Sequence, residues 1–339
     1  MTTMPQAELA PPSPQDARAR LLRVMMASSE LAGRILDEVE RAVVGKRPQL
    51  ELILAGLLAD GHVLLDDLPG VAKTLTARSI ATAAGLTFSR VQFTPDVLPS
   101  DITGATVLDL ATNVPVFRAG PVFAQLVLAD EINRAPAKTQ AALLEAMQEY
   151  QVTVNGVRYE LERPLFVLAT QNPIEQEGTY PLPEAQLDRF LFEIDVPYPS
   201  LEAERRMLFA TTGIDDAPAE QVLTSQELLH AQRLTRLIPI GEQVAEGILR
   251  IVRAARPGPD ADEFITQNVA WGPSPRASQA LMLGARAKAL LEGRLSPSLD
   301  DVLALVDPVF KHRMALSFSA RADGHTVASV TERLKSLIA

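Results

Sequence analysis

Apolar positions along this chain alternate between short continuous runs and helical spacings. The runs Val63–Leu65, Phe88–Phe93, Leu126–Ala129, Leu165–Ala169 and Phe190–Val196 are strand-length and separated by helical stretches. That is the pattern of a parallel sheet covered by helices on both faces. Upstream, Leu31, Ile35, Leu36, Val39 and Val43 recur at helical spacing. Residues 1–16 carry Pro5, Pro11, Pro12 and Pro14 with few large apolar side chains, so 1–30 reads as a flexible tail and a helix start. Beyond Pro197-Tyr198-Pro199 the strand signals stop. Helices are predicted over Leu201–Phe209, Gln226–Leu237, Gly241–Ala255, Pro275–Leu291, Ser298–Val309 and Val327–Leu337. A boundary near residue 199 therefore divides an α/β domain, residues 31–199, from an α-helical one, residues 200–339.

Two stretches inside the first domain break the alternation. Thr106–Leu110 and Val114–Phe117 flank Ala111-Thr112-Asn113, and Val152–Val154 and Val157–Leu161 flank Asn155-Gly156. Both read as β-hairpins, the second with the strongest two-residue signal for a type I′ turn.

Composition narrows the function classes. With 339 residues, 47% of them apolar, there is material for two domains with a sizeable core. The absence of cysteine excludes disulfides and thiolate metal sites. His62, His230, His312 and His325 are scattered, with no pair at ligand spacing, so no zinc is expected. A net charge of −10, without a basic run, speaks against general nucleic-acid binding, which depends on neutralising phosphates. The N-terminus lacks the charge and apolar core of a secretory signal, and no apolar stretch approaches the roughly 18 residues of a membrane span. A soluble, cytoplasmic protein is expected.

The candidate chemistry lies at the ends of three strand runs. After Leu65 come Asp67-Leu68-Pro69-Gly70-Val71-Ala72-Lys73-Thr74 and then Leu75 and a helical run. Strand, turn, Lys-Thr and helix is the context of a phosphate-binding loop, in which backbone N–H groups and the helix N-terminus face the phosphates. Lys73 adds a point charge at the β- and γ-phosphates and Thr74 a hydroxyl for Mg²⁺. The strict pattern has Gly where Asp67 and Ala72 stand, and Asp67 brings a negative charge toward the phosphates unless it points away. The run Leu126–Ala129 ends in Asp130-Glu131, two carboxylates at the sheet edge where such folds bind ligands. Asp130 suits Mg²⁺, and Glu131 can polarise the attacking water. The run Leu165–Ala169 ends in Thr170-Gln171-Asn172, which places Asn172 at the same edge.

Together these segments resemble an AAA+ ATPase of the MoxR family over roughly residues 31–320. The resemblance rests on Gly61-His62-Val63-Leu64-Leu65, Phe93-Thr94-Pro95-Asp96, Leu98-Pro99-Ser100-Asp101-Ile102-Thr103-Gly104 and Asp130-Glu131-Ile132-Asn133-Arg134-Ala135. It continues through Leu143–Met147, Ala169–Pro173 and Leu182–Phe190. It implies a P-loop fold with a five-stranded parallel sheet flanked by helices and a C-terminal helical lid. It also implies Mg²⁺-dependent ATP hydrolysis, with ATP or ADP bound over Asp67, Pro69, Gly70, Val71, Ala72, Lys73, Thr74 and Leu75. By resemblance Lys73 and Thr74 are the Walker A pair, Asp130 and Glu131 the Walker B pair, and Asn172 the sensor-1 residue. Arg189 matches the arginine finger offered in trans, and Arg276 the sensor-2 arginine. Val44-Gly45, before the first long helix, matches the segment lining the adenine pocket. The hairpins fall in the family's two inserts, which face the ring pore or a client. The resemblance implies a hexameric homo-oligomeric ring that remodels a protein client, among them von Willebrand factor A-domain proteins. No Asp-x-Ser-x-Ser motif is present, so such a domain is expected on a separate chain. An ATP-binding scaffold and a DNA-acting motor are the alternatives.

Overall fold

The computed structural model describes residues 14–67, 72–172, 178–211, 218–259 and 261–336, with the backbone alone at 14–21, 24, 67, 210 and 211. Helices α1 (Pro14–Ala42) and α2 (Arg47–Leu58) lead into β1 (Val63–Asp67), α3 (Lys73–Ala83), β2 (Phe88–Gln92) and α4 (Pro99–Thr103). A hairpin of β3 (Gly104–Asp109) and β4 (Val114–Ala119) precedes β5 (Leu126–Asp130) and α5 (Ala137–Glu149). A second hairpin, β6 (Gln151–Val154) and β7 (Val157–Glu160), precedes β8 (Phe166–Gln171), α6 (Glu184–Leu187) and β9 (Phe192–Val196). The remainder runs α7 (Leu201–Thr211), α8 (Ser225–Leu237), α9 (Glu242–Ala254), α10 (Glu263–Asn268), β10 (Val269–Trp271), α11 (Pro275–Leu291), α12 (Leu299–Phe310), β11 (Ala315–Leu316), α13 (Phe318–Ala322) and α14 (Val327–Ser336).

The five apolar runs are the five strands of one parallel sheet, ordered β2-β5-β8-β1-β9. Strand geometry sends alternate side chains to opposite faces. Leu126, Leu128, Phe166, Leu168, Phe192 and Ile194 accordingly join α1, α2, α3 and the C-terminal helices in one core. Val127, Ala129, Val167 and Ala169 face α4 and α5 in a second core. Because both faces are covered, the central strands β5 and β8 are apolar almost throughout, whereas the edge strands β2 and β9 carry Arg90, Gln92, Glu193 and Asp195. His62 is part of this packing. Its Nδ1 accepts the Val167 N–H at 3.1 Å, so Nε2 carries the hydrogen and donates to the Met147 carbonyl at 3.2 Å. Burial pushes its pKa down to about 4, leaving it neutral at pH 7.

Two expectations need correction. The segment read as a tail is helical from Pro14, so the proposed limit at residue 30 falls inside the 29-residue α1; residues 1–13 lie outside the described residues. Strands do not stop at residue 199, since β10 and β11 form a small antiparallel pair among the C-terminal helices. The C-terminal part packs closely on the first domain. Its helices share the first core with α1–α3, Gln232 Nε2 donates to the Leu57 carbonyl at 2.8 Å, and Ser29 Oγ donates to the Leu291 carbonyl at 3.4 Å. Among the described residues no helix is long and apolar enough to cross a membrane.

At this junction a buried carboxyl makes stability pH-dependent. Glu193, on β9, is pushed up to about 8 by burial and by the Asp66 carboxylate, against the pull of Lys311. Asp66, Asp195, Lys311 and His312 are the ionisable groups around it. An acid with a raised folded-state pKa holds its proton in the folded chain at pH values where the unfolded chain has lost it. The associated stability is therefore complete below about pH 4.5 and falls as pH rises toward about 8. Glu193→Gln should flatten that decline. Melting temperatures of both proteins at pH 6, 7, 8 and 9 check this; parallel curves would refute it.

Candidate nucleotide site

Lys73, Thr74 and Leu75 open α3 at the C-terminal edge of the sheet, a few residues after β1 ends. Ala72 precedes them in the left-handed region at φ 61°, ψ 26°. Glycine adopts that conformation freely and alanine at a cost of about 1–2 kcal/mol. Pro69, Gly70, Val71 and the side chain of Asp67 lie outside the described residues. Lys73 Nζ pairs with Asp130 Oδ1 at 3.0 Å, which joins the predicted loop to the predicted acid pair.

Asp130 ends β5 and is almost wholly buried. Arg90, on β2, donates to its Oδ2 from Nη2 at 2.6 Å and Nε at 3.2 Å, and the Thr170 hydroxyl donates to Oδ1 at 2.9 Å. Burial pushes the Asp130 carboxyl up. The Arg90 and Lys73 cations and the Thr170 hydroxyl outweigh it and hold the group below the usual carboxylate range. It is therefore anionic at neutral pH, as a magnesium ligand must be.

Glu131 follows in the left-handed region at φ 57°. Its N–H donates to Thr170 Oγ1 at 2.9 Å, so one threonine ties the two acids to β8. Gln92 Nε2 donates to Glu131 Oε2 at 2.7 Å, and Arg134 Nε lies 3.3 Å from the same oxygen. Asn172 follows β8 directly and is buried at this edge. Val44 and Gly45 lie in the turn joining α1 to α2. Gly45 has φ 80°, and a Cβ there would come within 2.3 Å of Ala203 Cβ, so the turn and α7 can approach this closely only with glycine. A void of about 20 Å³ beside this turn is lined by Lys46, Gln49, Leu65, Lys73, Thr76 and Val196, room for one water.

The two predicted arginines stand elsewhere. Leu191 N–H donates to the His62 carbonyl at 2.7 Å and Phe192 pairs with Val63, which puts residues 188–191 at the N-terminal edge of the sheet. There the Ser274 hydroxyl caps α11 by accepting the Arg276 N–H at 3.1 Å, and donates to Asp188 Oδ2 at 3.0 Å. Arg276 Nε lies 3.9 Å from the same oxygen. Arg189 and Arg276 border one cavity of about 250 Å³ with His62 and Arg313. At about 3.3 Å of rise per residue, the five residues of β1 separate this edge from Lys73 by roughly 15 Å. One chain thus gathers Lys73, Thr74, Asp130, Glu131 and Asn172 at one edge and Arg189 and Arg276 at the other.

The sequence profile of the AAA ATPase family associated with various cellular activities matches residues 62–192, and that of the AAA lid domain matches residues 262–334. Chaperone MoxR1 of Mycobacterium tuberculosis is 43% identical over 90% of this chain and 81% of its own length. The present chain therefore belongs to the MoxR family of AAA+ ATPases. Protein MoxR of Paracoccus denitrificans is 33% identical over 81% of this chain and 86% of its own. The crystal structure of a candidate ATPase from Cytophaga hutchinsonii superposes with a TM-score of 0.85 at 34% identity, covering 94% of this chain and 96% of that one. ATP hydrolysis in a chaperone-like AAA+ protein is therefore the activity of this MoxR member at the level of its family.

Sequence reasoning did not find Arg90 and Gln92. Their signal was present: two polar residues in alternate positions of Phe88–Phe93, on a strand adjacent to the one bearing the acids. Asp188, Ser274 and Arg313 were not found either, because they meet across 86 and 125 residues of sequence.

Proposed function

We propose that this MoxR protein hydrolyses Mg²⁺·ATP in a homo-oligomeric ring whose active sites are shared between neighbours, and that turnover remodels a protein client in the cytoplasm. The observation that carries the reading is the placement of the charged groups at opposite sheet edges. Phosphoryl transfer needs cations around the γ-phosphate. At the nucleotide edge Arg90 is engaged by Asp130 and Arg134 lies beside Glu131, which leaves Lys73 as the cation of the phosphate loop, while Arg189 and Arg276 border a cavity at the far edge. Head-to-tail packing of copies brings one edge against the other, and a closed ring satisfies every copy equally.

Asp130 and the Thr74 hydroxyl fit Mg²⁺. Among the described residues no three His, Asp or Glu side chains converge on a metal position. Asp130 and Thr74 would thus hold the ion together with phosphate oxygens and water, the coordination magnesium prefers. The ion would neutralise phosphate charge; Glu131 would accept a proton from the attacking water and Asn172 would orient it. Lys73, freed from Asp130 by the ion, would turn to the phosphates. Val44 and Gly45 would contact the base as their turn and α7 part. The client is a protein, a von Willebrand factor A-domain chain being the one the family suggests. The test is phosphate release per subunit, measured with and without Mg²⁺ across protein concentration. The reading requires Mg²⁺ dependence and a rise in specific activity as rings assemble. Flat specific activity in a protein that stays monomeric by light scattering would overturn it.

A further inference from the structure

The segment leaving α12 runs beside β9 and touches both edges of the sheet. At the nucleotide edge, Lys311 Nζ lies 2.5 Å from Asp195 Oδ1 and 3.2 Å from Glu193 Oε1, and it also donates to Asp66 Oδ2. Asp66 is the penultimate residue of β1. Its other oxygen accepts the Gln171 amide at 2.6 Å, next to Asn172. At the opposite edge Arg313 is buried. Its Nε donates to Asp188 Oδ1 at 2.8 Å, and Nη1 donates to the carbonyls of Leu191 at 3.1 Å and Val309 at 2.9 Å. Between them His312 donates from Nε2 to the Phe190 carbonyl at 3.1 Å. Three consecutive residues of the C-terminal part thus grip β9 along its length. One end reaches the strand that opens the phosphate loop, the other the aspartate that holds Ser274 and Arg276.

From this we infer that Lys311 and Arg313 are positioning residues, coupling β1 beside one subunit's nucleotide to the placement of the arginines that subunit offers its neighbour. The inference rests on the shared-site reading above. Asp66 and Asp195 are direct register partners on adjacent strands, and like charges in that position repel. The Lys311 amine between them offsets that repulsion, adding a side-chain tie to the backbone ladder that joins β1 and β9 at the nucleotide edge. Burial would lower the Lys311 pKa, but Glu193 and Asp66 outweigh it and keep the amine charged. A displacement of β1 when nucleotide arrives or leaves is therefore passed to β9 and, through Arg313, to Asp188.

The coupling can be read in mixed rings, where Arg189→Ala subunits supply working loops and Lys73→Ala subunits supply arginines only. The donor's own site is dead, so any effect of a further donor substitution reports on what it offers its neighbour. A Lys73→Ala/Lys311→Met donor should rescue at least about tenfold less activity than the Lys73→Ala donor, and Lys73→Ala/Lys311→Arg within about threefold of it. If Lys311→Met does not give folded protein by circular dichroism, Lys73→Ala/Asp66→Asn makes the same measurement. It removes the β1 end of the tie without leaving two facing carboxylates. Rescue undiminished in the folded donor variants would overturn the coupling and leave the shared site standing. No rescue by the Lys73→Ala donor itself would overturn the shared site, and the coupling with it.

Discussion

Glu131→Gln should bind ATP within about threefold of the parental protein and lose at least about a hundredfold in turnover, the size expected when a general base is removed. The amide keeps the shape of the side chain and can still meet Gln92 and Arg134, but it cannot take a proton from water. Its neighbour Asp130 is left untouched, so the ion and the phosphates keep their anchor. The backbone supports this separation of roles. Thr170 ties the Glu131 N–H and the Asp130 carboxylate to β8 independently of the Glu131 side chain. Calorimetry and phosphate release together check the result; parental turnover would remove Glu131 from the chemistry. Gln92→Ala is the useful contrast. In the structure Gln92 holds Glu131 Oε2 at 2.7 Å, so its loss frees the base without deleting it, and turnover should change by less than about tenfold. A Gln92→Ala protein as inactive as Glu131→Gln would mean that the hydrogen bond, rather than the free carboxylate, is the working arrangement.

What the sequence made legible was what short-range chemistry dictates. The five strands lie within two residues of their predicted limits because the central ones are buried on both faces and read as nearly continuous apolar runs, β5 being buried at every position. Asn155 and Gly156 both take positive φ, 51° and 79°, as a type I′ turn requires, and the second hairpin formed where that pair stood. Failures came where local pattern carries little information. The first half of α1 is rich in Ala and Arg, and three prolines upstream of it with Pro14 at its start resemble the composition of a tail. Strands β10 and β11, of three and two residues, are too short to show any alternation.

The site divides the same way. Lys73, Asp130, Glu131 and Asn172 were placed together because strand ends in an open parallel sheet share one edge. Where Arg276 would stand could not be read. Its position depends on α11 packing with Gly284 against Phe192, where a Cβ would come within 2.7 Å of the ring, and on Ser274 meeting Asp188. Neither contact leaves a mark in local sequence.

That placement gives the second large expectation, for Arg189→Ala. A phosphate loop stabilises the charge of the transferring phosphoryl group poorly without an arginine, and a finger supplied in trans contributes on the order of 10³–10⁵ in rate. Arg189 is half-buried at the N-terminal edge, roughly 15 Å from its own Lys73 by the rise of β1. It therefore cannot serve the nucleotide of its own chain, and its loss should leave ATP affinity nearly unchanged. Turnover should fall by about a thousandfold, with Arg276→Ala showing a smaller loss of the same kind because that side chain is more exposed and less constrained. Mixing Arg189→Ala with Lys73→Ala protein should restore activity that neither has alone, since the first brings an intact loop and the second an intact finger. The restored rate should peak near equal proportions, where the number of mixed interfaces is greatest. An Arg189→Ala protein that hydrolyses normally, or a mixture no more active than its parts, would place the missing cation within the chain and return Arg189 to the surface charges.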